Sequence, residues 1–251
     1  MCDQPIQIAV LGDKSVGKTA IIRQWLCNDF STLYSETNLA TYHFTSLFNG
    51  HRLFHIRIID TPRFDDTNNT DPQQEWVRMY CFRRAHLFLL VFDINREETF
   101  NYIKQIYREI VRVRLGSNYN NHQHPYPHPH QPHHPAHHQS HHHHHHHHYL
   151  VGDEVVFGPV ARNKVDLIST DLRFSNITLM NSRDIQQYVK KNFKANTIQC
   201  SAKYHWHLVL LFREVCRMLE TVEDTVAKQA AQQARRRLHH QQDNDKHCRV
   251  M

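Results

Sequence analysis

The order of hydrophobic and polar positions predicts a series of strands. The apolar run 6–11 predicts a buried strand. Residues 41–48 and 53–59 predict two strands joined by a two-residue hairpin turn at Asn49-Gly50. The continuous apolar run 85–92 is typical of a strand that is buried on both faces of a parallel sheet.

Other stretches carry apolar residues at the spacing of a helix. Asp71-Pro72 supplies an N-cap and a first-turn proline, and Trp76, Met79, Tyr80 and Phe82 are expected on the apolar face that follows. Residues 97–115 predict a long amphipathic helix, and 182–192 and 208–222 predict two more, with short strands at 155–161 and 197–200. Strands alternating with helices predict an α/β fold with a mostly parallel, doubly wound sheet. A ligand is expected at the carboxyl ends of its strands.

Residues 12–19, GDKSVGKT, match the phosphate-binding loop G-x-x-x-x-G-K-[ST] at every fixed position. A strand before the loop and a helix after it direct backbone N–H groups and a positive dipole end at an anion. In such a loop Lys18 reaches the outer phosphates and the Thr19 hydroxyl binds magnesium, with Asp60 as the organising acid. The predicted phosphate-binding residues are Gly12, Asp13, Lys14, Ser15, Val16, Gly17, Lys18 and Thr19.

Composition limits the functional classes without choosing one. The net charge of +6 with neutral histidine is compatible with an anionic membrane or nucleic acid and proves neither. The six cysteines show neither paired metal spacing nor a disulfide framework, which favours a reduced cytosolic setting. The sequence shows no signal peptide and no apolar run of the ~18 residues that a membrane span requires.

Residues 116–149 hold 16 of the 25 histidines and predict a disordered insertion, because they cannot bury enough apolar surface to offset their ordering entropy. Two interpretations stay open. The insertion binds metal or senses pH, or it is a tolerated expansion of a surface loop.

Two further motifs make the phosphate loop specific. Asn163-Lys164-x-Asp166 and Ser201-Ala202-Lys203 follow it in the order and spacing of the Ras-like small GTPases, once the insertion is set aside. The resemblance covers residues 5 to about 222, and the sequence around Gln74-Glu75-Trp76 and 200–207 is most similar to the Ras-like family-ten subgroup. It implies a P-loop NTPase fold, with a six-stranded, mostly parallel sheet and helices on both faces. Residues 1–115 and 150–225 would form one G domain, and 226–251 a flexible basic tail.

The resemblance implies GTP/GDP and Mg²⁺ as ligands. A buried carboxylate such as Asp166 accepts hydrogen bonds from the two guanine donors and penalises adenine, which lacks them. The guanine-binding residues implied are Phe30, Asn163, Lys164, Asp166, Ser201, Ala202 (through its N–H on the guanine oxygen) and Lys203. Thr19, Thr37 and Asp60 are implied for the metal, and Thr37, Asp60 and Thr61 lie in the two switches that tighten around a γ-phosphate.

The second switch departs from the family pattern Asp-x-x-Gly-Gln. It places Arg63 at the glycine and Phe64 at the water-positioning glutamine. The Arg63 side chain is expected simply to be exposed, with an arginine finger acting in cis as the alternative. No confident catalytic residue is therefore assigned, and GTP hydrolysis is expected to be weak. Lys14 replaces a glycine near the place where an activator's arginine would enter, which predicts resistance to Ras-type activators. Gly158-Pro159 interrupts a predicted central strand.

The C-terminal Cys248-Arg249-Val250-Met251 fits a C-a-a-X prenylation box, although Arg249 is not aliphatic. Prenylation of Cys248, with a second signal from Arg235–Arg237, would place the protein at the cytoplasmic face of the plasma membrane. An unmodified polar terminus, leaving the protein cytosolic, is the alternative.

The leading hypothesis is therefore a GTP-binding signalling switch, active as a monomer at the inner membrane leaflet. Its exchange factor and effector are unidentified, and no nucleic acid partner is expected. The alternatives are a guanine-nucleotide-bound scaffold that does not cycle and a histidine-rich metal-binding protein on a relic fold.

Overall fold

The structure is a computed structural model that describes residues 5–48, 52–64, 71–116, 156–167, 182–222 and 224. Several sequence predictions lie outside the described residues: the Asn49-Gly50 turn, the histidine-rich insertion from residue 117 onward, the 226–251 tail and Cys248.

Strands and helices alternate along the described part of the chain. The strands are β1 (Ile6–Leu11), β2 (Ala40–Phe48), β3 (Arg52–Asp60), β4 (Leu87–Asp93), β5 (Val160–Asn163) and β6 (Thr197–Gln199). The helices are α1 (Lys18–Cys27), α2 (Pro72–Arg84), α3 (Glu97–Gly116), α4 (Ser182–Tyr188) and α5 (208–222). A π-helical turn, Val189–Phe193, continues α4, and a 3-10 turn, Val165–Leu167, follows β5.

The strands form a single six-stranded sheet in the order β2-β3-β1-β4-β5-β6. The β2–β3 pair is antiparallel and the other pairs are parallel. Side chains of a strand alternate between the faces of its sheet, so Ile8 and Val10 pack on one side and Ala9 and Leu11 on the other. Helices α1 and α5 cover the first side, while α2, α3 and α4 cover the second. The predicted α/β fold is confirmed.

The interruption predicted at Gly158-Pro159 takes the form of a bulge at the start of β5. Phe157 pairs with Phe88, and Ala161 pairs with Val91. From Phe157 to Ala161 the chain advances four residues, while the paired residues of β4, from Phe88 to Val91, advance three. One residue on the β5 side therefore has no counterpart on β4, which defines a β-bulge. The Gly158 N–H donates to the Phe88 carbonyl at 2.8 Å, and a Cβ on Gly158 would lie 2.8 Å from Leu87 Cδ2. Pro159 itself lies before the regular ladder, where its missing N–H is tolerated.

Helix α2 begins as predicted but exposes one of its aromatic residues. The Asp71 carboxylate accepts a hydrogen bond from the Gln73 N–H at 3.1 Å, and Pro72 occupies the first turn. Trp76, expected on the apolar face, is instead 66% exposed and stacks on Tyr80. Arg78 is buried on this helix and forms salt bridges with acidic partners on α2 and α3.

His86 makes stability depend on pH. Its Nδ1 accepts a hydrogen bond from the Gln7 N–H at 2.9 Å, which requires a neutral ring. Burial, with a contribution from the charge of Arg114, lowers the pKa of His86 to about 4. Since the unfolded chain binds this proton near pH 6.5, stability present above that pH is lost as the pH falls toward the folded pKa.

We expect wild-type protein to lose about 2 kcal/mol of unfolding free energy through His86 alone between pH 7.5 and about pH 5. Urea denaturation of wild-type protein and of His86→Gln at both pH values measures it. In His86→Gln the pH-dependent loss should shrink by that amount, because the glutamine oxygen accepts the same bond without titrating. Equal losses in the two proteins would contradict the assignment.

Candidate functional site

A cavity of about 410 Å³ lies beside the phosphate loop. Most of the residues predicted for nucleotide binding line it: Lys14, Ser15, Gly17, Lys18, Thr19, Phe30, Thr37, Thr61, Asn163, Lys164, Asp166, Ala202 and Lys203. Gly12, Asp13, Val16, Asp60 and Ser201 lie behind this lining and support it. The three sequence motifs, which are spread over residues 12–203, therefore converge on one place.

Two glycines allow the phosphate loop to pack closely. Gly17 has φ +94°, and a Cβ there would lie 2.3 Å from Asn163 Nδ2. A Cβ on Gly12 would lie 2.2 Å from the carbonyl oxygen of Val91. Helix α1 begins immediately after Gly17, so the N-terminus of the helix meets the cavity and favours an anion there.

Two carbonyl groups at the start of the phosphate loop hold the Lys18 side chain. Its ammonium donates to the carbonyl oxygens of Gly12 at 2.9 Å and Asp13 at 2.8 Å. Burial lowers the pKa of Lys18 to about 8, against the opposite effect of Asp60, Asp13 and Glu36. At neutral pH the ammonium therefore keeps its charge and can serve a phosphate oxygen.

The three residues predicted for the metal lie together. The Thr19 hydroxyl donates to Asp60 Oδ2 at 2.6 Å and lies 2.7 Å from the Thr37 hydroxyl. The other carboxylate oxygen, Asp60 Oδ1, is buried with no hydrogen-bond partner among the described residues. Burial raises the pKa of Asp60, while the Thr19 bond and the Lys18 charge act against that rise. Hydroxyl and carboxylate oxygens with an unused acceptor suit a hard cation, so this group fits Mg²⁺.

Asn163 joins the phosphate loop to the loop after β6. Its side chain is buried at the end of β5, where Nδ2 donates to the Val16 carbonyl at 2.8 Å. Its Oδ1 accepts from the Ala202 N–H at 3.1 Å. That N–H was expected to be reserved for a guanine oxygen, so a bound guanine would have to share or replace this bond.

The remaining predicted guanine-binding residues surround the same part of the cavity. Asp166 lies in the 3-10 turn and is half-buried, not buried as the sequence suggested. Phe30 is half-buried against the α1–α5 side of the core, and Lys203 is exposed with its ammonium over the Tyr204 ring. The buried Ser201 hydroxyl accepts from the Tyr204 N–H at 3.2 Å, so it shapes the loop and does not line the cavity.

Sequence reasoning missed the acidic group beneath Lys164. Asp93, buried at the end of β4, binds the Lys164 ammonium at 2.9 Å and Arg96 Nε at 3.1 Å. Asn95 donates to Asp93 from its backbone and its side chain. Burial raises the pKa of Asp93, but these bonds from Lys164 and Asn95 outweigh it and hold the pKa below its ordinary value. A carboxylate at the carboxyl end of an apolar strand was the available signal.

Hydrogen bonds and a salt bridge hold residues 60–64, the start of the second switch segment, against neighbouring elements. The Thr61 hydroxyl donates to the Val10 carbonyl at 2.8 Å. Arg63, expected simply to be exposed, is partly buried: its side chain is 37% exposed, and its Nη1 lies 2.8 Å from Asp13 Oδ1. Phe64 is 3% exposed, and the Tyr102 hydroxyl accepts from its N–H at 2.9 Å and donates to its carbonyl at 3.2 Å.

The first switch segment, residues 31–37, contacts the phosphate loop through a salt bridge. Lys14 Nζ lies 2.9 Å from Glu36 Oε1, and both side chains are about half exposed. On the other side of the loop, Arg96 Nη2 donates to the Lys14 carbonyl at 3.0 Å. Lys14, which replaces a family glycine, therefore spans the mouth of the cavity.

Two negative findings apply to the described ranges. They contain no group of three His, Cys, Asp or Glu side chains placed to hold a metal ion. None of their helices combines the length and hydropathy needed to cross a bilayer. The histidine-rich insertion, on which the metal-binding hypothesis depends, lies outside these ranges.

Comparison with known proteins agrees with the geometry of the site. The family model for the Ras family matches residues 7–121. Human Ras-like protein family member 10B is 27% identical over 212 residues, covering 83% of this chain and 83% of its own. Human Ras-like protein family member 10A is 26% identical over 214 residues, covering 84% and 85%. The Ras-like protein rasV of Dictyostelium discoideum is 28% identical over 108 residues, covering 43% and 44%.

These similarities confirm the resemblance to the Ras-like small GTPases and to their family-ten subgroup. The chain is similar to these Ras-like small GTPases over most of its length, and that similarity supports a GTP-binding signalling protein.

Proposed function

We propose that the cavity binds GTP and GDP, with magnesium held by Thr19, Thr37 and Asp60. The observation that carries this proposal is the position of Asn163, which bonds the phosphate loop on one side and the Ala202 loop on the other. One bound molecule can therefore meet phosphate-binding and base-binding residues at once. Asp166 lines the same cavity and supplies the carboxylate that selects guanine. When bound, magnesium neutralises phosphate charge.

The protein hydrolyses GTP slowly. Hydrolysis requires a side chain that orients the attacking water, and the family uses glutamine at the position of Phe64. The Phe64 ring carries no hydrogen-bonding group and lies in the core against Phe82, with ring centroids 5.9 Å apart. Arg63 is directed to Asp13. The remaining contribution to catalysis is positioning and charge from Lys18 and the metal residues.

A scaffold that holds guanine nucleotide without cycling is the second candidate. It is favoured by the contacts that hold residues 61–64 through Val10, Asp13 and Tyr102. None of these contacts involves the nucleotide, so the second switch has less reason to respond when a γ-phosphate is lost. The two candidates differ in whether turnover and a nucleotide-dependent conformational change are measurable.

Acid release and chromatography of the purified protein should yield GDP or GTP as the co-purifying nucleotide. A single-turnover assay with bound GTP should give a rate below about 10⁻⁴ per second, under the intrinsic rate typical of Ras. Retention of GTP with no turnover at all favours the scaffold. An adenine nucleotide, or no nucleotide affinity, contradicts the binding proposal, and a Ras-like rate contradicts slow hydrolysis.

We further propose that prenylation at Cys248 brings the protein to the inner leaflet of the plasma membrane. The C-a-a-X-like ending and the arginines at 235–237 support a lipid anchor with a basic second signal. Its partners there are an exchange factor and an effector, with the chain acting as a monomer and without nucleic acid.

In cells, Cys248→Ser should move the protein from the membrane fraction to the soluble fraction. Cys27→Ser is the matched control, because it removes an exposed thiol without altering the C-terminus. Membrane fractionation of the two variants beside wild-type protein is the measurement. The same membrane fraction in wild-type and Cys248→Ser proteins would exclude the lipid anchor.

A further inference from the structure

The phosphate loop of this protein contains a buried carboxylate. Asp13 is 6% exposed, and its Oδ1 accepts a hydrogen bond from the neighbouring Lys14 N–H at 2.6 Å. The Asp13 carbonyl also accepts from the Lys18 ammonium. A negative charge inside a loop that must receive negatively charged phosphates opposes their binding, and weak solvation of the buried group leaves that repulsion poorly screened.

An arginine lies against that carboxylate. Arg63 Nη1 is 2.8 Å from Asp13 Oδ1, and the guanidinium lies 5.1 Å from the centre of the Tyr102 ring. The next residue, Phe64, is bonded to the same tyrosine through both its N–H and its carbonyl. The backbone that carries Arg63 is therefore fixed from the α3 side, and the cation is held on Asp13 from a separate part of the chain.

We propose that Arg63 is a positioning residue for nucleotide binding, which acts by compensating the charge of Asp13. This inference rests on the proposed binding of guanine nucleotide. Arg63 replaces the glycine of the family pattern, and Asp13 supplies an acid in the phosphate loop. The two side chains therefore carry opposite charges and form a salt bridge. In this arrangement Arg63 favours the binding of GDP and GTP alike, because the Asp13 charge that it compensates repels the phosphates of both nucleotides. An arginine that contacted a γ-phosphate directly would serve GTP alone.

The expected size follows from Coulomb's law. At an effective dielectric constant of about 20, one unit charge at about 8 Å changes a binding constant by roughly 30-fold. Because the Arg63 side chain is 37% exposed, solvent screens part of this effect. We therefore expect loss of Arg63 to weaken nucleotide binding by about tenfold.

Four proteins test the proposal: wild type, Arg63→Gln, Asp13→Asn and the double variant. Dissociation constants for fluorescent GDP and for a non-hydrolysable GTP analogue are measured with Mg²⁺. Arg63→Gln should bind both about tenfold more weakly. Asp13→Asn, which keeps an acceptor for the Lys14 N–H and removes the repelling charge, should bind both more tightly than wild type. The double variant should return to within about threefold of wild type.

Arg217→Gln is the matched charge control, because Arg217 is also paired with a carboxylate at 2.8 Å but does not line the cavity. Its affinity should equal that of wild type. Arg63→Lys keeps the charge and should retain most of the affinity, so the test holds even if Arg63→Gln folds poorly.

Two outcomes would overturn the inference: unchanged affinity in Arg63→Gln, or a double variant as weak as Arg63→Gln. A loss confined to the GTP analogue would instead assign Arg63 to the γ-phosphate. If wild-type protein binds no guanine nucleotide, the proposed function fails before the charge compensation is tested.

Discussion

Replacing Asn163 with alanine should lower guanine-nucleotide affinity by about 100-fold and destabilise the protein. The side chain is 2% exposed and satisfies two backbone groups on different loops, the Val16 carbonyl and the Ala202 N–H. Each buried group left unsatisfied costs about 1–3 kcal/mol. The cost falls on folding and on binding together, because the same bonds hold the phosphate loop beside the base-binding loop. Thermal unfolding and fluorescent-nucleotide titration measure the two effects.

Asn196→Ala is the matched control for Asn163. It removes the same amide from an exposed residue whose side-chain bond to Glu214 Oε1 is 3.5 Å long. Nucleotide affinity of this variant should remain within about twofold of wild type. Asn163→Ala with affinity that close to wild type would show that the bridge between the loops is not needed for binding.

Restoring the family glutamine at position 64 should damage the fold without accelerating hydrolysis. Phe64 is 3% exposed and packs edge-on against Phe82, so Phe64→Gln loses apolar burial and places an amide in the core. We expect a loss of about 3 kcal/mol in unfolding free energy. The two bonds from Tyr102 hold the backbone so that the new side chain remains directed into the core, away from the cavity. Urea denaturation and single-turnover hydrolysis measure the outcome.

Val209→Gln provides the comparison for Phe64, because Val209 is 54% exposed and the substitution also introduces glutamine. Its stability should stay within about 0.5 kcal/mol of wild type. A folded Phe64→Gln protein that hydrolyses GTP tenfold faster than wild type would contradict this account, since glutamine would then reach the attacking water.

The elements of the fold were predictable where local sequence determines them. Apolar runs mark β1 and β4, Asp71-Pro72 marks the start of α2, and the apolar stripe of residues 208–222 marks α5. Trp76 was misplaced because helical spacing gives a face but not the partner that covers it, and Arg78 takes the buried position. The bulge before β5 depends on register with β4, which a single strand does not encode.

The candidate site was predictable as a set of motif residues but not as a set of pairs. The positions of Lys18, Thr19 and Asn163 follow from their motifs, and the structure brings all of them to one cavity. The Asp13–Arg63 salt bridge joins residues 50 positions apart, so neither residue alone indicates it. Two side chains of opposite charge, Asp13 in the predicted phosphate loop and Arg63 at the position of the family glycine, were the available sign.

The bulge at Gly158-Pro159 has a consequence for how this protein tolerates change in length. Beyond the bulge, Ala161 is registered against Val91 and Asn163 against Asp93, while Val160 pairs with Thr197 on the other side. Pairing with β4 and β6 therefore fixes the position of Asn163 along the strand direction. We therefore expect a change in the number of residues before Phe157 to leave Asn163 in place relative to Val16, because the register with β4 and β6 sets its position.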